Sequence, residues 1–318
     1  MEAAAILVIT GETAGGKERL ALAVARQVGG EIVSADSMKV YRGMDVGTAK
    51  PSAEERRAVP HHLIDVADPG ETFSTARWLA LAEAAVADAA GRGRVPIVSG
   101  GTALYLKALL EGLFKGPGAD ADLRDRLKAE AQSHGTPALH ARLARVDPAA
   151  AGRIHPNDLR RIVRALEVWE RTGSPISDLQ TQWGRDRPCY RPLLVAIRRA
   201  AADLDRRIAE RVGRMAKAGL LDEVRRLAAR PEGLAMGPRQ AVGYAEVLDH
   251  LAGRLTWAEA PEAIALHTRQ FAKRQRTWLR RFHGLQWLDA EADTPVETLA
   301  DRVVNRWREH AAEAAGRA

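Results

Sequence analysis

The sequence predicts an α/β fold, a parallel sheet flanked by helices and interrupted by an inserted all-helical domain, on three observations. A continuous apolar run from Ala3 to Thr10 enters a glycine-containing turn and then an Ala/Leu-rich helical stretch from Lys17. Short apolar runs recur at 31–34, 62–66 and 95–99, with helical spacing between the last two. From about residue 116 to 187 helical patterns follow one another with no strand among them. Strands that alternate with helices need crossover connections and so favour parallel pairing, whereas a block of helices buries its apolar faces within itself.

Taken in order, the run from Ala3 to Thr10 is too short to span a membrane and reads as a buried strand. The helix after it ends near Gly29-Gly30. Strands are predicted at 31–34, 62–66 and 95–99, a helix over 75–90, a further strand of the same sheet over Pro192–Ile197, and a short one over Leu285–Leu288. Turn signals at Gly135, Asp147-Pro148, His155-Pro156 and Gly173 divide the helical block. Helices are predicted over 201–229, 239–251, 261–282 and 296–314, with no internal repeat. The expected organisation is a core in two parts, 1–115 and 191–318, with a helical insertion over 116–190.

The chain has 318 residues, 46% hydrophobic and 28% charged, which excludes a disordered tail or a disulfide miniprotein. Lys+Arg 48 against Asp+Glu 41 gives a net charge of +7, a mild bias towards a polyanionic partner that a slightly basic enzyme would show as well. The single cysteine, Cys189, cannot form an internal disulfide, and no Cys/His group has zinc spacing. With no basic leader and no apolar span, a cytoplasmic protein without membrane attachment is expected.

Gly11-Glu12-Thr13-Ala14-Gly15-Gly16-Lys17 fits G-x-x-x-x-G-K between a predicted strand and a predicted helix. Glycines there let backbone N–H groups converge on phosphate oxygens, the helix N-terminus adds partial positive charge, and the lysine adds a full one. A Gly-rich strand-to-helix turn is the alternative. Glu18 follows where such loops place Ser or Thr on Mg²⁺; its carboxylate would either ligate the ion or repel the phosphate, and Glu12 adds a second acid.

Asp36, in Ser34-Ala35-Asp36-Ser37-Met38-Lys39-Val40-Tyr41, follows a strand at the sheet edge where parallel α/β folds bind ligands. It is a candidate general base or metal-shell ligand, and equally an Asx-turn residue. Ser99-Gly100-Gly101-Thr102 ends another strand in the same way. The helix over 158–171 stacks Arg160 and Arg164 beside an apolar stripe, which suits either phosphate contact or a solvated face. The stretch Thr268–Arg281 concentrates basic residues on a helix that also carries Phe271 and Trp278, a pattern that favours polyanion contact.

Together with Tyr41–Pro51, Pro60-His61-His62, His155-Pro156-Asn157-Asp158, Val242-Gly243-Tyr244 and Lys273-Arg274-Gln275-Arg276-Thr277-Trp278, these strings resemble the tRNA dimethylallyltransferase family over about Ile6 to Asp289. The resemblance implies a P-loop NTPase-like core with a helical insertion. It implies transfer of a dimethylallyl group from dimethylallyl diphosphate to N6 of the adenosine 3′-adjacent to the anticodon, in tRNAs reading codons that start with U, with Mg²⁺. Gly11, Glu12, Thr13, Ala14, Gly15, Gly16, Lys17, Glu18 and Arg211 would then hold the diphosphate, in place of ATP, with Glu18 as the metal ligand. Asp36 would take the N6 proton and Thr102 would share its channel. The anticodon stem-loop would meet Asp36, Ser37, Met38, Lys39 and Thr102, the residues Arg124, Arg160, Arg161, Ile162, Val163 and Arg164, and the strings Gln240, Ala241, Val242, Gly243, Tyr244 and Lys273, Arg274, Gln275, Arg276. A monomer is expected.

The chain departs from the family pattern at Glu12 (usually Pro), Gly15 (Ser), Glu18 (Ser or Thr), Lys39 (Gln) and Ala103 (Gly). Mutual compensation of Glu18 and Lys39 is one expectation. A catalytically weakened relative that binds tRNA without efficient turnover is the alternative reading. A small-molecule kinase rests on the loop alone and leaves the basic helices unexplained.

Overall fold

The computed structural model describes residues 3–114, 116–184 and 187–315. Its strands are β1 (Ala4–Gly11), β2 (Gly30–Ser34), β3 (His61–His62), β4 (Val95–Ser99), β5 (Tyr190–Arg198) and β6 (Gln286–Asp289). They form one parallel sheet in the order β3-β2-β4-β1-β5-β6. The predicted third strand is cut to two residues because Leu63 (φ +62°) and Asp65 (φ +59°) turn left-handed and take the chain off the sheet.

Every second residue of the central strands points to the same face. Ile6, Val8, Val33 and Val98 face Trp78 of α3 (Thr75–Gly91) and Leu106 and Leu109 of α4 (Ala103–Glu111) in one apolar layer. Leu7, Ile9, Ile32 and Ile97 face the opposite layer, filled by Leu20 and Val24 of the Lys17–Val28 helix and by Leu299, Val303 and Trp307 of the Val296–Ala315 helix. The Lys17–Val28 helix is α1, and the short Ala53–Ala58 helix is α2. α2 was not foreseen, although Ser52 and Glu55 form a capping box legible as Ser-x-x-Glu.

By its contacts the chain divides into a unit of residues 1–110 with 187–318 and a unit of residues 111–186. The second is all-helical among its described residues: α5 (Ala121–His134), α6 (Thr136–Val146), α7 (Pro148–Ala151), α8 (Leu159–Thr172) and α9 (Ile176–Leu179). Leu123, Leu127, Leu139, Leu143, Ile162 and Leu166 make its own apolar core. After β5 come α10 (Ala201–Lys217), α11 (Leu220–Ala228), α12 (Met236–Arg239), α13 (Tyr244–Leu251), α14 (Ala260–Leu279) and, after β6, α15 (Val296–Ala315). The helix expected over 201–229 breaks at Gly219, whose φ of +94° no helix accepts.

Candidate active site

The site lies at the carboxyl edge of the sheet, where β1, β2 and β4 end side by side. The segment after β1 turns with Ala14 (φ +61°) and Gly16 (φ +99°) left-handed, and α1 begins at Lys17. Gly15 N donates to Glu12 O at 3.0 Å, closing the loop. Lys17 is buried, and burial pulls its pKa down while the charges of Glu18 and Asp36 push it back up. A buried cation at a helix N-terminus is positioned to meet an anion.

Distant segments brace the loop. Thr13 N donates to Gln275 Oε1 at 2.8 Å, and Gln275 Nε2 donates to Gly101 O at 2.9 Å, so one α14 side chain ties the loop to the turn after β4. A Cβ on Gly101 would stand 2.2 Å from Gln275 Nε2 and would displace the amide from its bond to Gly101 O. Arg276 Nε lies 2.7 Å from Oε1 of the buried Glu12. Arg199, at the end of β5, donates from Nε to Gly15 O at 2.8 Å. Sequence reading missed Arg199; its only signal was an arginine directly after an apolar strand. It assigned Gln275 and Arg276 to RNA, whereas their side chains contact the phosphate loop.

Lys39 is buried, and its Nζ stands 2.8 Å from Oε1 of Glu18 in the first turn of α1. Burial works to raise the Glu18 pKa, and Lys39, Lys17 and Arg211 overcome it, holding the group at about 2. Both acids of the loop therefore carry a basic partner. Lys39 is committed to this pair and lines a cavity beside the loop.

Asp36 Oδ1 accepts from Met38 N at 2.8 Å and from Lys39 N at 3.3 Å, an Asx-turn; among the described residues Oδ2 has no hydrogen-bond partner. Thr102 Oγ1 accepts from Ser37 N at 3.0 Å and lies 3.3 Å from Ser37 Oγ, which joins the turn after β2 to the turn after β4. The turn geometry and the candidate base thus coexist in one carboxylate, one oxygen serving each.

A cavity of about 870 Å³ opens beside the loop, lined by Lys17, Glu18, Lys39, Lys50, Arg211 and Arg214 among others. Asp36 and Thr102 are not on that wall. The side chain of Lys50 is enclosed and donates to Tyr41 O, Asp45 Oδ1 and Asp65 Oδ1, and so pins the segment between β2 and β3 against the cavity.

The residues expected to meet RNA divide by exposure. In the helical unit Arg124 and Arg164 bind the fully buried Glu167, Nε to Oε1 at 2.8 Å and Nη1 to Oε2 at 2.5 Å. Arg160 and Arg161 are exposed on α8, while Ile162 and Val163 belong to the apolar core, so the expected side-chain contact from those two does not follow. In the other unit Gln240 is exposed, Val242 is half-buried, and Ala241, Gly243 and Tyr244 are buried. Lys273 and Arg274 project from α14 and, among the described residues, form no ion pair.

Residues 39–282 match the family model described as IPP transferase, and residues 4–66 match that described as isopentenyl transferase. The chain is 53% identical to a tRNA dimethylallyltransferase of an Anaeromyxobacter species, over 94% of this chain and 99% of that one. It is 49% identical to the tRNA dimethylallyltransferase of Symbiobacterium thermophilum, over 96% and 95%. Among solved structures, the tRNA isopentenylpyrophosphate transferase of Bacillus halodurans superposes with a TM-score of 0.73 at 36% identity, over 99% of each chain. A eukaryotic dimethylallyltransferase captured acting on tRNA gives a TM-score of 0.80 at 28% identity, over 94% of this chain and 77% of that one.

Proposed function

The chain belongs to the IPP transferase family, and from that membership we propose that it transfers a dimethylallyl group from dimethylallyl diphosphate to N6 of the adenosine 3′-adjacent to the anticodon in tRNAs reading codons that start with U. The observation that carries this reading is Asp36: one oxygen is spent on its turn, the other has no partner among the described residues, and its charge reaches Lys17 of the phosphate loop. A base and an anion site are thus adjacent. In the reaction the N6 amine attacks the allylic carbon, the carbon–oxygen bond to the diphosphate breaks, and the diphosphate leaves with the electron pair. Asp36 takes the N6 proton, and the loop with Lys17 and Arg211 stabilises the negative charge that grows on the leaving group.

Mg²⁺ fits the donor set. The hydroxyl of Ser99, which lines the cavity with Glu18, is buried and, among the described residues, without a hydrogen-bond partner. Among the described residues no three His, Cys, Asp or Glu gather into a cage, and an ion shared with a diphosphate needs only one or two protein carboxylates besides phosphate oxygens and water. Glu18 and Ser99 would hold it, and it would supply counter-charge to the departing diphosphate.

The exposed Lys273, Arg274, Arg160 and Arg161 are the cations we assign to the tRNA backbone. A base in a stacked loop has to be extruded to reach Asp36, at a cost of a few kcal/mol that such contacts offset. No helix among the described residues is long and apolar enough to cross a membrane, and we place the reaction in the cytoplasm. Nothing in the site favours a relative without turnover.

The test is mass spectrometry of nucleosides from tRNA lacking the modification, after incubation with the protein, dimethylallyl diphosphate and Mg²⁺. Wild type is expected to add the five-carbon mass to adenosine and Asp36→Ala to fail. Unmodified adenosine with wild type would end this reading.

A further inference from the structure

Glu223 of α11 is a carboxylate enclosed in the apolar face of its helix, with 6% of its surface exposed. Burying a charge is costly unless it is paired or fully hydrogen-bonded, and among the described residues Glu223 forms no ion pair. Its four hydrogen bonds come from two places. Oε2 accepts from Asp45 N at 2.9 Å and Val46 N at 2.7 Å, and Oε1 accepts from Gly47 N at 3.1 Å and from the Tyr244 hydroxyl at 2.6 Å. Three consecutive backbone N–H groups converging on one anion make a nest, the geometry by which loops hold phosphates. Here the anion belongs to the protein.

The nest has a consequence for the cavity, because Asp45 and Val46 line it together with Lys17 and Arg211. No strand or helix contains this turn; besides its own backbone bonds, Ala49 N to Val46 O and Lys50 N to Asp45 O, it is held from outside by Glu223, and the Lys50 ammonium pairs with Asp45. On the other side the turn rests on Tyr244: a Cβ on Gly47 would stand 2.5 Å from the ring. The turn is therefore clamped between a carboxylate and a buried phenol.

We propose that Glu223 is a positioning residue for the allylic diphosphate, holding the Asp45–Gly47 wall at the distance that lets the cavity close on that substrate. The proposal rests on the transferase reading above. The same clamp makes Gly47 a residue on which binding of the diphosphate depends, although neither Gly47 nor Glu223 lines the cavity.

The experiment compares wild type, Glu223→Gln and Gly47→Ala by steady-state transfer with each substrate varied in turn, and by calorimetry with inorganic diphosphate and Mg²⁺. Glu223→Gln keeps the size of the side chain and removes the charge that the three amides address. The KM for dimethylallyl diphosphate and the Kd for inorganic diphosphate are expected to rise about tenfold, which is about 1.4 kcal/mol, because the amides of the wall lose the charge that holds them in place. The KM for tRNA and kcat at saturation are expected to stay within about twofold, by contrast with loss of folded protein, which lowers kcat and leaves both KM values in place. Gly47→Ala, which displaces the same turn from the Tyr244 side, is expected to raise the same KM and decides the matter should Glu223→Gln not fold. An unchanged KM for dimethylallyl diphosphate, or a fall in kcat alone, overturns the proposal. Wild type that fails to transfer overturns the transferase reading instead, and the diphosphate calorimetry still reports on the wall.

Discussion

The ammonium of Lys39 lies 2.8 Å from the carboxylate of Glu18, joining the segment after β2 to the first turn of α1 beside the buried Lys17. Neither residue is usual for the family at its position, and each offsets the other. A lone carboxylate at Glu18 would weaken an anion site, and a lone ammonium at Lys39 would be buried without a partner. As a pair they leave the loop with the net charge of Lys17.

That pairing predicts strong non-additivity. Glu18→Ser and Lys39→Gln, made singly, are each expected to lower kcat/KM for dimethylallyl diphosphate about tenfold, and the double variant to recover to within about threefold of wild type, a coupling of about 1–3 kcal/mol. Additive losses in the double-mutant cycle would show that the two residues act independently.

Acid titration follows from the same pair. Glu18 is held at about 2 against an ordinary 4.5, so its contribution to stability is complete above 4.5 and disappears as the pH falls through 2. Removing Lys39 returns Glu18 towards the ordinary value. The Tm difference between wild type and Lys39→Gln should be largest at and above pH 4.5 and should shrink as the pH approaches 2. A difference that is flat over this window would mean that Glu18 is not held low by Lys39.

Gln275 is expected to behave as part of the phosphate loop although it sits on α14. Gln275→Ala leaves Thr13 N–H and Gly101 C=O without their partner, and the Kd for inorganic diphosphate should rise about tenfold, the cost of orphaning enclosed polar groups being about 1–3 kcal/mol. Exposed Lys273→Ala should leave that Kd unchanged and weaken tRNA binding in a salt-dependent manner. Equal effects of both variants on both ligands would contradict this division.

The helical unit should be sensitive at its own core. Leu166 is fully buried on α8, and Leu166→Ala is expected to cost about 2–5 kcal/mol by leaving a cavity among Leu123, Leu127 and Leu143. Hydrogen exchange should localise the added opening to residues 111–186, while diphosphate affinity is retained. Uniformly faster exchange over the whole chain would argue against a separate core.

The sequence by itself determined the α/β class, the loop after β1 and the apolar strands, because these are local signals: continuous apolar runs, glycine spacing and a strand that runs straight into a helix. It placed Asp36 and Thr102 at strand ends, and with them the edge on which they sit. It left open whether Asp36 was a turn residue or a base, since only coordinates distinguish one oxygen in a turn from another without a partner. Tertiary structure alone decided that Glu12 meets Arg276, 264 residues away, that Gln275 and Lys39 turn inward, and that Glu223 anchors the cavity wall. The reason is physical. A basic residue on an amphipathic helix reads the same from its neighbours whether its side chain meets water or a carboxylate, and which one it meets depends on what the sheet edge brings opposite to it.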